Sequence, residues 1–276
     1  MRELTNNQYK GFCQILQKLS AVMYDVKIDK GRICQFSDDR ILNCYVNLSN
    51  LIGDLTCSFA HVAKKLPLMQ LLTSPEDRII IDIKQLSETA NSLYISDTVS
   101  DIELLIPDDS LLTCPCQPVE QFNSIVASAN IKIAEFDLTP TRSTDDQEAS
   151  YDTSILKKFI NSVTVLGLET YSIEKDQDNQ LVLTGKSVDK VRSIRICKST
   201  YEPEPTVSPL LEKFKRLIFS VSIGVFDSAP CKLEIVYSEQ IQTFLAKYTV
   251  VPYREQINEN TVQSVDAMIL TKCTEQ

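Results

Sequence analysis

Asn6-Asn7-Gln8-Tyr9-Lys10-Gly11-Phe12-Cys13-Gln14-Ile15-Leu16-Gln17-Lys18-Leu19-Ser20-Ala21 places Phe12, Ile15, Leu16 and Leu19 at i, i+3, i+4 and i+7. That spacing puts them on one apolar stripe of a helix. Lys10, Gln14, Gln17 and Lys18 fall on the remaining surface. The same spacing returns 144 residues later in Leu156, Phe159, Ile160 and Val163, with Lys157, Lys158, Asn161 and Thr164 at the polar positions. Alternating runs follow each helix. After the first come Val22 to Ile28, a turn at Asp29-Lys30-Gly31, then Ile33 to Phe36 and Leu42 to Leu48. After the second come Glu169 to Lys175, a turn at Asp176 to Asn179, Gln180 to Thr184 and Val191 to Cys197. A period of two marks strands with one buried face. The repeated order predicts an α+β chain made of two similar domains, each with antiparallel sheets and helices on one face.

Other elements fit between these blocks. Thr56 to Leu72 reads as a short strand feeding a helix, with Pro67 in its first turn. Arg78 to Ile83, Ser92 to Ser96 and Asp101 to Ile106 read as strands, as do Lys215 to Val225, Cys231 to Tyr237 and Phe244 to Val251. Pro107, Pro115 and Pro118 lie in a stretch with little periodicity, which predicts an extended surface connector. The expected organisation is residues 1–107, a connector at 108–126, a second domain at 127–255, and an exposed tail at 256–276. Lys198 to Pro209, with three prolines, reads as a flexible insert, and Thr139 to Ser150 as a polar one. Val262 to Leu270 is apolar enough to dock somewhere.

The 276 residues carry 28 Lys and Arg against 37 Asp and Glu, a formal charge of −9. A surface coated in positive charge is excluded, so any nucleic-acid contact must be a local basic patch on an acidic body. No apolar run reaches the roughly 18 residues of a membrane span. The Met1 to Asn7 start lacks the apolar core of a secretory signal, so an intracellular protein is expected. Nine cysteines, odd in number and without a Cys-x-x-Cys pair, are expected to be reduced. Cys114-Pro115-Cys116 is the one close pair, and with a single histidine at position 61 it makes a poor zinc site.

Enzyme signatures are missing. The chain has only six glycines, and no G-x-x-x-x-G-K-[ST], G-x-G-x-x-G or G-x-S-x-G. Any nucleophile–histidine pair would need His61, which sits in the apolar run Phe59-Ala60-His61-Val62-Ala63 and reads as a packed or boundary residue. Asp38-Asp39, Asp108-Asp109 and Asp145-Asp146 fall in turns and read as solvated carboxylates. Asp176-Gln177-Asp178-Asn179 lacks the glycine and terminal glutamate of a calcium loop and reads as a hairpin turn. No catalytic residue, cofactor or metal is assigned.

Ala246-Lys247-Tyr248-Thr249-Val250-Val251-Pro252-Tyr253-Arg254-Glu255 resembles the closing strand of the eukaryotic sliding clamp, whose pattern there is L-K-Y-Y-L-A-P-K-I-E. Val99-Ser100-Asp101-Ile102-Glu103-Leu104 resembles that family's V-S-D-Y-E-M edge strand, just before its interdomain connector. Ile155 to Cys197 and Lys215 to Val236 resemble the second domain of the T-even phage clamp. The first helix begins almost at once, without a clear leading strand, which leans toward the phage type. Taken in order along residues 6–255, these stretches resemble the DNA polymerase sliding clamps, of the proliferating cell nuclear antigen and T-even phage type.

The resemblance implies a bacteriophage-like or PCNA-like processivity factor that is not an enzyme: a homotrimer whose six domains close a ring around double-stranded DNA, without reading sequence. By position, Asp101, Ile102, Glu103 and Leu104 on one edge, and Leu181 and Leu183 in Leu181 to Ser187 on another, would join subunits. Lys10, Lys18, Lys64, Lys65, Lys157 and Lys158 would face DNA, although Cys13 and Gln14 stand where the eukaryotic clamp has consecutive basic residues. Phe36, Arg40, Ile41, Leu111, Leu112, Pro115, Pro230, Thr249 and Val251 would form the pocket for short motifs of a DNA polymerase and a clamp loader. Thr249 and Val251 stand where the eukaryotic clamp has Tyr and Ala. The implied location is the cytoplasm or nucleoid of an infected bacterium, or a nucleus. The alternatives are a checkpoint-clamp subunit, or a two-domain viral structural or assembly protein that does not encircle DNA.

Overall fold

Thr5 starts the first helix. Its Oγ accepts from Gln8 N–H (3.2 Å), while Gln8 Oε1 accepts from Thr5 N–H (2.9 Å), the reciprocal cap that satisfies two otherwise orphaned donors. The computed structural model describes residues 1–72, 78–88, 90–139, 141–142, 151–152, 154–168, 170–187, 193–220 and 231–276. Two compact units divide the chain. Met1–Val119 with Val251–Ala267 form the first, and Glu120–Val250 with Met268–Gln276 the second.

The first unit opens with β1 (Arg2–Leu4), α1 (Asn6–Leu19), β2 (Val26–Ile28), β3 (Arg32–Phe36) and β4 (Leu42–Asn47). It continues through α2 (Ser49–Ile52), β5 (Cys57–Phe59), α3 (Val62–Met69), β6 (Ile79–Gln85), β7 (Asn91–Ser96) and β8 (Asp101–Leu105). One antiparallel sheet runs β1-β6-β7-β8. The leading strand β1, three residues long, is a correction to the sequence reading: it is too short to show a period, and the sheet supplies its partner β6. Phe12, Ile15, Leu16 and Leu19 are all buried, so the quoted stripe is the core face of α1. Tyr9 Oη donates to Met69 O at 2.8 Å, tying α1 to α3. Pro67 stands late in α3 rather than in its first turn, because the helix starts at Val62, right after His61 in a left-handed conformation (φ 54°).

Gly11 is the close-approach point of this unit. A Cβ there would lie 2.2 Å from the Tyr253 ring. Helix propensity alone favours alanine by about 1 kcal/mol, whereas overpacking a tight contact costs about 1–3 kcal/mol. Gly11→Ala is therefore expected to lower the urea midpoint, and Tyr253→Ala in the same chain to reverse the sign of the Gly11→Ala effect.

The second unit holds α4 (Val119–Ser128), β9 (Ile131–Asp137), β10 (Thr141–Arg142), β11 (Tyr151–Asp152), α5 (Ser154–Leu166), β12 (Thr170–Lys175), β13 (Leu181–Lys186) and β14 (Ser193–Lys198). Then come α6 (Ser208–Glu212), β15 (Arg216–Ser220), β16 (Cys231–Ser238), and β17 (Thr243–Asn258) and β18 (Thr261–Lys272), which the two units share, before β19 (Thr274–Glu275). Its main sheet runs β14-β13-β12-β15-β19. Beside it β9, β16 and β17 are neighbours; in the first unit β18 lies next to β4, and β4 next to β3. Aromatic rings fill the second core. Phe159 of α5 stacks on Tyr171 at 4.7 Å, and Phe219 sits 6.3 Å from both Tyr171 and Tyr248. Tyr171 Oη donates to Phe159 O (2.9 Å), which satisfies its buried hydroxyl.

Three expectations change. The exposed tail is instead the twelve-residue strand β18, with Val265, Ala267, Ile269 and Leu270 buried. The extended connector stops near Pro118, since Val119 onward is α4, whose Ile125 packs on Ala129, Val236 and Leu245. The insert after Lys198 is pinned rather than loose. Thr200 N–H donates to Glu135 O (2.8 Å), Glu135 N–H donates to Ser199 Oγ (3.1 Å), and Val207 is buried. Residues 143–150 of the polar insert, Asp145 and Asp146 included, lie outside the described residues, as do 221–230.

Candidate functional site

Charge is segregated onto three helices. α1, α3 and α5, of 14, 8 and 13 residues, contain six lysines and not one Asp or Glu, in a chain with nine more acids than bases. Burying Phe12, Ile15 and Leu16 on α1 forces Lys10 and Gln14 outward. On α3, buried Val62 and Leu66 leave Lys64 exposed and Lys65 half-buried. On α5, buried Leu156 and Phe159 leave Lys157 and Lys158 exposed. Lys18 is half-buried near the end of α1. Lys10 also lines a groove of about 270 Å³ with Gln14, Gln17 and Gln70, floored by Tyr9 and Cys13. Amide N–H groups there can meet an anion without adding charge, which fits a mildly positive surface.

The connector is fastened to the first unit by buried polar groups. Asp25, 1% exposed, accepts from Thr113 N–H (2.7 Å), Thr113 Oγ (2.8 Å) and His61 N–H (2.9 Å). Burial pushes its carboxyl up, but the bonds from Thr113 and His61 outweigh that and hold it below the ordinary value. Phe36 N–H donates to Pro115 O (3.0 Å) and Gln117 N–H to Cys34 O (2.9 Å), so the connector covers the open edge of β3. Asn43 Nδ2 donates to buried Gln117 (2.6 Å), and Lys27 pairs with Asp109 at 2.5 Å. Outside these anchors Leu111 is 67% and Ile41 45% exposed, with Phe36, Leu112 and Pro115 half-buried and Arg40 exposed. These six expected pocket residues therefore belong to one unit. Val251 is half-buried where β17 enters that unit, Thr249 falls in the other unit, and Pro230 lies outside the described residues.

A carboxylate stabilised this way contributes above the unfolded value near 3.9, and loses that contribution as pH falls through its lowered folded value. Asp25→Asn is expected to cost about 2 kcal/mol at pH 7, from replacing one carboxylate oxygen by an NH2 that faces a backbone N–H donor, that of Thr113 or of His61. The gap in urea midpoint between the two proteins should narrow between pH 5 and 3.

Sheet edges are the third feature. Exposed ladders invite pairing, and two here are covered: β3 by the connector, β9 by Thr200. β8 and β14 each pair on one side only among the described residues. Ile106 N–H donates to Asn91 O, so by antiparallel alternation Asp101, Glu103 and Leu105 turn their backbone groups outward. Their side chains are exposed as well. β14 carries Arg195 and Lys198, about half exposed, both reaching Asp176 in the β12–β13 turn (2.8 and 3.4 Å). The expectation for Leu181 and Leu183 fails as an edge. β13 is bonded to β12 on one side and β14 on the other, and both leucines are buried.

The crystal structure of the PCNA2–PCNA3 complex from Sulfolobus tokodaii superimposes on this chain with a TM-score of 0.53. The alignment covers 100% of both chains at 9% identity. The chain has a sliding-clamp fold. No protein-family model and no curated protein matches the sequence. Within this clamp fold, α+β with antiparallel sheets and helices, sequence reasoning read β14 as a strand but not as a sheet edge, and gave no sign of Asp25 or Thr113. The signal for that edge was the pair of basic residues Arg195 and Lys198 on the strand, since charged residues are common on edge strands. No helix among the described residues is long and apolar enough to cross a membrane.

Proposed function

We propose that this chain is a DNA sliding clamp, a non-catalytic processivity factor whose subunits close a ring around duplex DNA. The observation that carries this reading is the complete exclusion of Asp and Glu from α1, α3 and α5 in an acidic protein. A duplex presents about one negative charge per 1.7 Å, so lysines facing it hold the backbone without reading bases. A weak, screened contact suits a protein that slides. Lys10, Lys18, Lys64, Lys65, Lys157 and Lys158 take this role, supplemented by Gln14 and Gln17.

Subunits join head to tail, β8 of one pairing with β14 of the next, a heterologous contact that closes when the rotation allows. Acidic Asp101 and Glu103 meet basic Arg195 and Lys198, which favours a second copy of this chain as the neighbour. On the connector side, exposed Leu111 and Ile41 with Phe36, Leu112 and Pro115 form the surface for a short apolar peptide of a polymerase or loader. Arg40 sits at its rim. Sedimentation at micromolar concentration tests the assembly: a species near three times 31.2 kDa supports the ring, and a strict monomer contradicts it.

A further inference from the structure

Asp25 joins three separate pieces of chain. It precedes β2, it accepts the backbone N–H of His61 at the start of α3, and it accepts both donors of Thr113 in the connector. Its own N–H donates to Cys114 Sγ (3.4 Å), and Cys114 Sγ donates to Asp38 (2.8 Å), whose other donor is Tyr24 N–H (3.0 Å). No Lys or Arg pairs with Asp25 among the described residues, so hydrogen bonds, with a smaller charge contribution from His61, hold a carboxylate that is 1% exposed. His61 needs this support. A non-glycine residue at φ 54° and ψ 53° is strained, and its ring leans edge-on against Tyr24 at 4.4 Å. Val62 N–H then donates to Tyr24 O (2.9 Å), which fixes the first residue of α3.

We infer that Asp25 couples the connector to α3: drawing Thr113 away from the carboxylate loosens the start of the helix that carries Lys64 and Lys65. A buried carboxylate that loses two of three donors attracts water, and the remaining bond to His61 weakens with it. A peptide that shifts the connector at Leu111 or Leu112 therefore changes how firmly α3 is held. The coupling itself is a property of the first unit. Its meaning as communication between a partner surface and a DNA-facing helix rests on the clamp reading.

Hydrogen exchange of the full chain without DNA tests the coupling, so its outcome is independent of ring formation. In Thr113→Val, amides of residues 61–66 are expected to exchange about tenfold faster, while those of residues 6–19 keep their wild-type rates. Thr113→Ser, which keeps the hydroxyl, should restore protection. Leu111→Ser, a change elsewhere on the connector, should leave residues 61–66 untouched. Faster exchange confined to the connector in Thr113→Val, or spread evenly over the whole unit, overturns the inference.

Discussion

Chains carrying Asp101→Lys and Glu103→Lys together are expected to sediment as monomers at concentrations where the clamp reading predicts a trimer of the parent protein. The two side chains are exposed on an edge strand and contribute little inside their own sheet, where Glu103 accepts one bond from Ser92 Oγ (2.6 Å). The melting temperature should therefore hold within a few degrees. Across the proposed β8–β14 contact the same changes place lysines against Arg195 and Lys198. An exposed ion pair is worth about 0.2–1 kcal/mol, and reversing one partner removes that attraction and adds a repulsion of similar size. Two reversals per interface come to about 1–4 kcal/mol, on the order of 5- to 700-fold in subunit affinity. Salt separates this from misfolding. At about 1 M ionic strength the screening length falls to roughly 3 Å, so the reversed chains should partly reassemble there. Monomers that persist at every salt concentration with an unchanged melting curve, or trimers unaffected by the reversal, would count against the β8–β14 contact.

Lys157→Gln with Lys158→Gln is the second large expectation. Glutamine keeps helix propensity close to that of lysine, and both side chains are exposed, so stability should barely move. Each lysine withdrawn from a phosphate forfeits counterion release worth about tenfold in affinity near 0.1 M salt. The double variant should bind duplex about 100-fold more weakly and show a shallower dependence on salt. The change converts α5 toward what α1 already carries at Gln14 and Gln17, so the weakening should be smaller when Lys10 alone is replaced. Equal binding by the parent and the double variant would remove α5 from the DNA contact.

The helices were legible because burial is periodic: Phe12 and Leu156 begin stripes that the structure places in two cores. Strands β2 to β4 and β12 to β14 were legible from alternation. What escaped depended on partners far away in sequence. β1 is three residues long and exists through its pairing with β6. The polar start of β18 hid an apolar alternation confined to Val265–Leu270. Prolines at 107, 115 and 118 masked α4, although Pro118 directly precedes it and a proline at a helix start is well tolerated. The edge assignment failed at β13 because a sequence shows that Leu181 and Leu183 form a strand, not how many neighbours it has. Asp25 gave no signal at all, since its donors lie 36 and 88 residues away. The absence of acids from three helices needed only their boundaries to be read.

Enclosure of DNA is tested most directly by topology. Subunits assembled on a nicked circular plasmid and cross-linked at their contacts are washed at high salt, then the plasmid is cut once. The clamp reading predicts retention on the circle at salt concentrations that abolish ionic contact, and release on linearisation. Retention that survives cutting, or salt washing that strips circle and linear duplex alike, would contradict it.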